Sequence, residues 1–164
     1  MNDVDQTMTD GPRGTASEPV ATKALCTFWL AGLCFGVDVL DVQEVIRSQD
    51  VTVVPLAPPV MVGLMNLRGQ IITACDLRRR LGLGERGPDQ LPVNVVVRTP
   101  EGPMSLLVDR IGAVIAVDPR AFETPPSTVA GVARDLIVGA YKLDDHLLLE
   151  LDTSRVIAQM VTSG

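Results

Sequence analysis

One stretch of this chain occurs twice. Val60 to Leu81, VMVGLMNLRGQIITACDLRRRL, lies without a gap on Leu136 to Ile157, LIVGAYKLDDHLLLELDTSRVI, displaced by 76 positions. Gly63 falls on Gly139, Leu67 on Leu143, Asp76 on Asp152 and Arg79 on Arg155. Each copy reads as an apolar strand, a tight turn, a second apolar strand, and an aspartate opening a helix. A unit of that size cannot bury its apolar face alone, so two copies imply two structural halves packed on each other. A looser match, displaced by 69, sets Val42 on Ile111 and Val45 on Val114. The expected architecture is therefore two similar five-stranded halves. The loop GERGPDQLP, Gly84 to Pro92, is the expected boundary between them.

The remaining segments agree with strands. ALCTFWLAG and LCFGVDVLDV read as a hairpin turning at Ala31-Gly32, followed by Val42 to Ile46, whose imperfect alternation suits a strand or a short helix. Val51 to Val54 is expected as a short strand stopped by Pro55, Pro58 and Pro59. VNVVVRT, PMSLLVDRI, GAVIAV, ARDLIVGAYKL and HLLLEL supply further strands, and DLRRRLGL and TSRVIAQMV the helices. Hydrophobic residues make up 46% of the chain but aromatic ones only 3%, so valine and leucine must fill the core. A valine-rich core favours strands, and the turn spacing suits small barrels over an open parallel sheet. Residues 1–22 are polar, acidic and rich in Thr, Ser, Gly and Pro. They are expected to form a disordered tail preceding a domain over 23–164.

Little in the sequence suits catalysis. The net charge of −6 argues against a nucleic-acid partner. The basic run Arg78-Arg79-Arg80 reads as a solvated helix face, and a nucleic-acid-binding barrel using it is the weaker reading. Gly82-Leu83-Gly84-Glu85-Arg86-Gly87 matches GxGxxG, but it closes a helix where a dinucleotide site must open one. Cys26, Cys34 and Cys75 lack metal-ligand spacing and sit in apolar runs, so buried reduced thiols are expected, with no metal and no cofactor. A thiol-dependent enzyme using Cys75 or Cys34 near His146, the one histidine, is the alternative. No apolar run is long enough to span a bilayer, and the N-terminus does not read as a signal peptide, so a cytoplasmic protein without membrane insertion is expected. Arg68 stands at the tip of a turn between two buried strands, placed to meet a partner carboxylate or to pair internally with Glu44.

These residues carry a resemblance. MVGLMNLRGQIITACDLRRRLGL resembles the signature of the CheW family, where Asn-Leu-Arg-Gly and Asp-Leu-Arg bracket an apolar strand. FGVDVLDVQEVI, LLVDRIGAVIAV and LIVGAYKLDDHLLLELD resemble its other segments in the same order, from about Ala24 to Val161. The resemblance implies a mainly β fold of two SH3-like five-stranded barrel subdomains with few short helices. It implies a non-enzymatic adaptor that joins the cytoplasmic tips of chemoreceptors to the regulatory domain of a CheA-type histidine kinase, recruited to receptor arrays. Arg68, Glu44 and Val42 match positions implicated in partner binding, while Asn66 and Gly69 match turn positions. Cys75 and Thr73 depart from the family's usual aliphatic residue and proline.

Overall fold

The structure, a computed structural model, describes residues 22–47, 49–127 and 132–162. All but Thr22 of the expected disordered tail lies outside them. The chain forms β1 (Lys23–Leu30), β2 (Leu33–Asp38), a 3-10 turn (Val39–Asp41), β3 (Val42–Ile46), β4 (Met61–Leu67), β5 (Gln70–Asp76) and α1 (Leu77–Leu81). It continues through β6 (Val93–Val97), β7 (Met104–Val108), β8 (Arg110–Val117), α2 (Val132–Leu136), β9 (Ile137–Lys142), β10 (Leu147–Leu151) and α3 (Thr153–Thr162).

Two five-stranded sheets result, ordered β8-β1-β2-β10-β9 and β3-β6-β7-β5-β4. Replacing each strand of one order by its repeat counterpart produces the other. The register follows the same rule. Phe28 pairs with Phe35 and Ile111, and Val97, displaced by 69, pairs with Met104 and Val42. Each sheet therefore takes strands from both repeats, so the halves are exchanged. The loop around 84–92 divides the repeats along the chain but not the sheets in space, because α1 and β6 on either side of it serve the same sheet.

Three segments differ from the sequence reading. Val51 to Val54 makes a single bridge, Thr52 to Leu64, because the following prolines remove the donors a longer ladder needs. Residues before Ile137 are helical, where ARDLIVGAYKL reads as one strand. PMSLLVDRI is broken at Asp109, with β7 in one sheet and β8 in the other. The ambiguous run at Val42 is a strand.

The shared core explains the long apolar runs. Val95, Val97, Leu106 and Val108 face a cluster with Phe28, Phe35 and Leu149 of the other sheet and Val156 of α3. Their neighbours Val96 and Leu107 face the opposite way, into a separate cluster with Met65 and Ile72. Strands buried on both faces lose the apolar-polar alternation. The repeated aspartates start helices. Asp76 Oδ1 accepts from Arg78 N at 3.0 Å on α1, and Asp152 Oδ1 from Arg155 N at 3.1 Å on α3. Gly82, at φ 70°, ends α1 in a left-handed cap.

The repeated glycines admit a crossing segment. A Cβ on Gly63 would lie 2.1 Å from the Thr52 carbonyl oxygen, and one on Gly139 would lie 2.0 Å from the Phe122 ring. The first obstacle is backbone, held by two hydrogen bonds to Leu64; the second is a side chain that can swing. Gly63→Ala is therefore expected to cost about 3 kcal/mol and Gly139→Ala about 1 kcal/mol in urea unfolding. Equal costs would contradict that reading.

A polar clamp joins the sheets where β7 passes into β8. Asp109, 7% exposed at its side chain, accepts from Arg78 Nη2 at 2.6 Å, Arg86 Nε at 3.0 Å and the Ala31 N–H at 2.8 Å. Arg78 lies on α1, Arg86 in the following loop, and Ala31 in the β1–β2 turn. Arg86 also reaches Asp76 at 3.3 Å.

Candidate functional site

The β4–β5 hairpin closes on two residues, Arg68 and Gly69, with φ of 53° and 86°. Positive φ at both central positions marks the mirror-image turn that matches strand twist. Asn66 Oδ1 accepts from the Gly69 N–H at 2.9 Å and fastens the turn. Glycine suits this backbone; arginine does not, and a left-handed L-residue costs roughly 1–2 kcal/mol. The Arg68 side chain is 77% exposed and makes an ion pair with Glu44, Nη2 to Oε1 at 3.0 Å. Glu44 belongs to β3 and Arg68 follows β4, which are the two outer strands of one sheet. The pair thus spans the edges of a curled sheet. An ion pair with one partner this exposed contributes only about 0–1 kcal/mol. Val42 is half-buried against the shared core, two residues before Glu44 on the same strand.

The edge strands expose apolar side chains as well. Val45 on β3 and Ile111 and Val114 on β8 are exposed, and Val45 and Val114 are repeat counterparts. A further apolar cleft of about 610 Å³ is lined by Trp29, Leu33, Phe35, Leu81, Leu83 and Leu149.

The basic run is not a solvated face. Arg78 is bound to Asp109, Arg79 pairs with Glu85 at 2.9 Å, and Arg80 is buried with Nε donating to the Val156 carbonyl at 3.1 Å. Burial holds the Arg80 guanidinium below its usual range. Successive helical residues point about 100° apart, so three adjacent arginines reach three different places. Asp109 and Arg86 escape a sequence reading altogether; the Arg-rich helix beside the Val-Asp-Arg run is the one trace of them.

The thiols are poorly placed for chemistry. Burial pushes Cys34 up to about 11 and Cys75 up to about 12, and raises Cys26. A nucleophilic cysteine needs the opposite shift. His146 Nδ1 lies 2.6 Å from Asp145 Oδ1 in an exposed turn, and its ring lies tilted against Trp29 with the centroids 4.9 Å apart. Alkylation by iodoacetamide at pH 7.5 is expected to label none of the three cysteines in the folded protein and all three after denaturation; rapid labelling of Cys34 or Cys75 would revive the thiol reading. Among the described residues no group of His, Cys, Asp or Glu could hold a metal ion, and no helix is long and apolar enough to cross a membrane.

Two sheets thus share one core and present exposed edge strands and a charged turn tip. Comparison with known proteins identifies the family. A family model described as a CheW-like domain matches residues 24–160. The chemotaxis protein CheW of Treponema pallidum is 30% identical over 138 residues, covering 82% of this chain and 81% of the relative. A probable chemotaxis protein CheW of Rhizobium etli is 26% identical over 132 residues, with 79% and 85% covered. The crystal structure of the scaffolding protein TtCheW from Thermoanaerobacter tengcongensis superposes with a TM-score of 0.72 at 30% identity, covering 82% of this chain and 87% of that one. The chain belongs to the CheW family of non-enzymatic chemotaxis coupling and scaffold proteins.

Proposed function

We propose that this protein couples the cytoplasmic tips of chemoreceptors to the regulatory domain of a CheA-type histidine kinase, in the cytoplasm at receptor arrays. The observation that carries the reading is Arg68, a charged residue kept in a left-handed turn where glycine would be cheaper. Strain of that kind points to a role beyond stability. Arg68 and Glu44 offer charge and hydrogen bonds at the rim, and Val42 holds their strand in place. The apolar side chains on β3 and β8 supply a surface for a helical tip. A scaffold that binds receptor and kinase at separate faces changes kinase activity through the difference in its affinity for the active and inactive assemblies. Modest single contacts gain strength from multivalent arrays.

The test is reconstitution of kinase with receptor-bearing membranes from the same organism. Phosphorylation of the kinase should rise on adding this protein and fall when a receptor ligand is supplied. No change for any of the organism's kinases, with the protein folded, would sink the proposal.

A further inference from the structure

A leucine is held where glycine or asparagine is expected. Val54-Pro55-Leu56-Ala57 is a tight turn, with the Ala57 N–H donating to the Val54 carbonyl at 3.3 Å and Leu56 at φ 66°. Proline followed by a positive φ is the type II pattern, whose third position favours glycine because a side chain there crowds the backbone. Leu56 is nonetheless bulky and branched, and it is the most exposed large hydrophobic residue among those described. Its side chain gains nothing from its own fold while its backbone is strained. Strain without internal compensation points to a contact outside the chain. The repeat shows that the shared frame does not require this residue. Both crossing segments bridge at sister positions, Thr52 to Leu64 and Glu123 to Ala140. Counting on equally from each bridge sets Leu56 on Ser127, which is polar.

The loop is also preordered. Pro55, Pro58 and Pro59 restrict it, and Thr52 exchanges two hydrogen bonds with Leu64. The Pro58 carbonyl accepts from the Met61 N–H at 2.9 Å and the Pro59 carbonyl from Arg79 Nη1 at 2.8 Å. An apolar knob on such a loop loses little freedom on binding. Three features select its partner. No charged residue occurs from Val51 to Leu67, so the loop offers apolar contact alone. It leads into the start of β4 while Arg68 follows its end, and a strand of seven residues spans about 20 Å, so both sites can be engaged at once. A protruding leucine needs a concave apolar pocket, which a folded domain offers and a convex helical tip does not. We propose that Leu56 is the apolar anchor for the kinase regulatory domain, its side chain entering a pocket on that domain. This rests on the coupling role proposed above, and it leaves the Arg68 rim with β3 and β8 to the receptor tip.

Calorimetric titration of the full chain and two variants against the kinase regulatory domains of the same genome tests this, beside co-sedimentation with receptor-bearing and receptor-free membranes. Leu56→Asn, which suits the turn, should hold or raise the unfolding midpoint, weaken regulatory-domain binding about tenfold or more, and leave receptor co-sedimentation unchanged. Leu56→Met, apolar and of similar volume, should keep binding within about threefold. Leu56→Asn binding as tightly as the wild type would overturn the anchor and leave the coupling role standing. Absence of binding by the wild type to every regulatory domain would overturn both. Leu56→Asn acting instead on membrane co-sedimentation, or on self-association through this chain's own apolar cleft, would also overturn the assignment. So would unfolding of Leu56→Asn, since the leucine would then serve the turn itself.

Discussion

Asp109→Ala is expected to destabilise the protein by about 3–5 kcal/mol, the cost of removing one member of a buried ionic cluster. Arg78 would keep its charge with no carboxylate partner, Arg86 would be left with Asp76 alone at 3.3 Å, and the Ala31 N–H would lose its acceptor. Because these groups come from α1, the loop after it and the β1–β2 turn, the loss falls on the joint between the sheets. Replacing Asp109, Arg78 and Arg86 together by apolar residues of similar size is expected to cost less than the single change, since no buried guanidinium is then stranded and Asp76 keeps Arg79 at 3.8 Å and the backbone N–H of residue 78. A triple variant worse than Asp109→Ala would contradict the clamp. Acid provides a second measure. Burial pushes the Asp109 carboxyl up, but hydrogen bonds from Arg78, the Ala31 N–H and Arg86 outweigh it and hold the group at about 2, below its ordinary 3.8. A carboxyl depressed on folding stabilises above its unfolded value and loses that contribution as pH falls toward its folded one. Up to about 2 kcal/mol should therefore disappear between about pH 4 and pH 2, and Asp109→Asn should flatten that limb of the curve.

Arg68→Glu is expected to leave the fold standing and remove coupling. The turn needs positive φ, which glutamate tolerates no worse than arginine, and the lost ion pair with Glu44 contributes at most about 1 kcal/mol. If Arg68 is a central contact to the partner, affinity should fall about 30-fold or more, equivalent to about 2 kcal/mol, and kinase activation with it. Arg68→Gly separates stability from function. Relief of the left-handed backbone should hold or raise the unfolding midpoint while coupling is still lost. If either variant unfolds, the Arg68–Glu44 pair is a structural strut and the functional assignment fails. Glu44→Arg with Arg68→Glu restores the internal pair with reversed polarity. It should recover stability but not coupling.

The features visible in the sequence were local ones. The 76-residue displacement appears because Gly63 and Gly139 admit a crossing segment while Asp76 and Asp152 cap helices, and each constraint acts within a few residues. The Asn66–Gly69 turn is legible for the same reason. Which sheet each strand joins was not legible, since β1 pairs with β8 across most of the chain and no local pattern encodes that choice. Asp109 sits inside an apolar run that reads as continuous, although the chain changes sheets there. Its partners, Arg78 and Arg86, are found only once the crossing is known. The exposure expected for Arg78-Arg79-Arg80 fails because other elements pack around this short basic helix, so it has no single outer face. Of the site, the positions of Arg68 and Glu44 could be read, but the meeting of two outer strands that brings them within 3.0 Å could not.

The most direct measurement is a calorimetric titration of the protein against the isolated regulatory domain of each CheA-type kinase encoded in the same genome. Saturable one-to-one binding to at least one of them is the expected result. Absence of binding to all of them, by protein shown to be folded and monomeric, would contradict the coupling role.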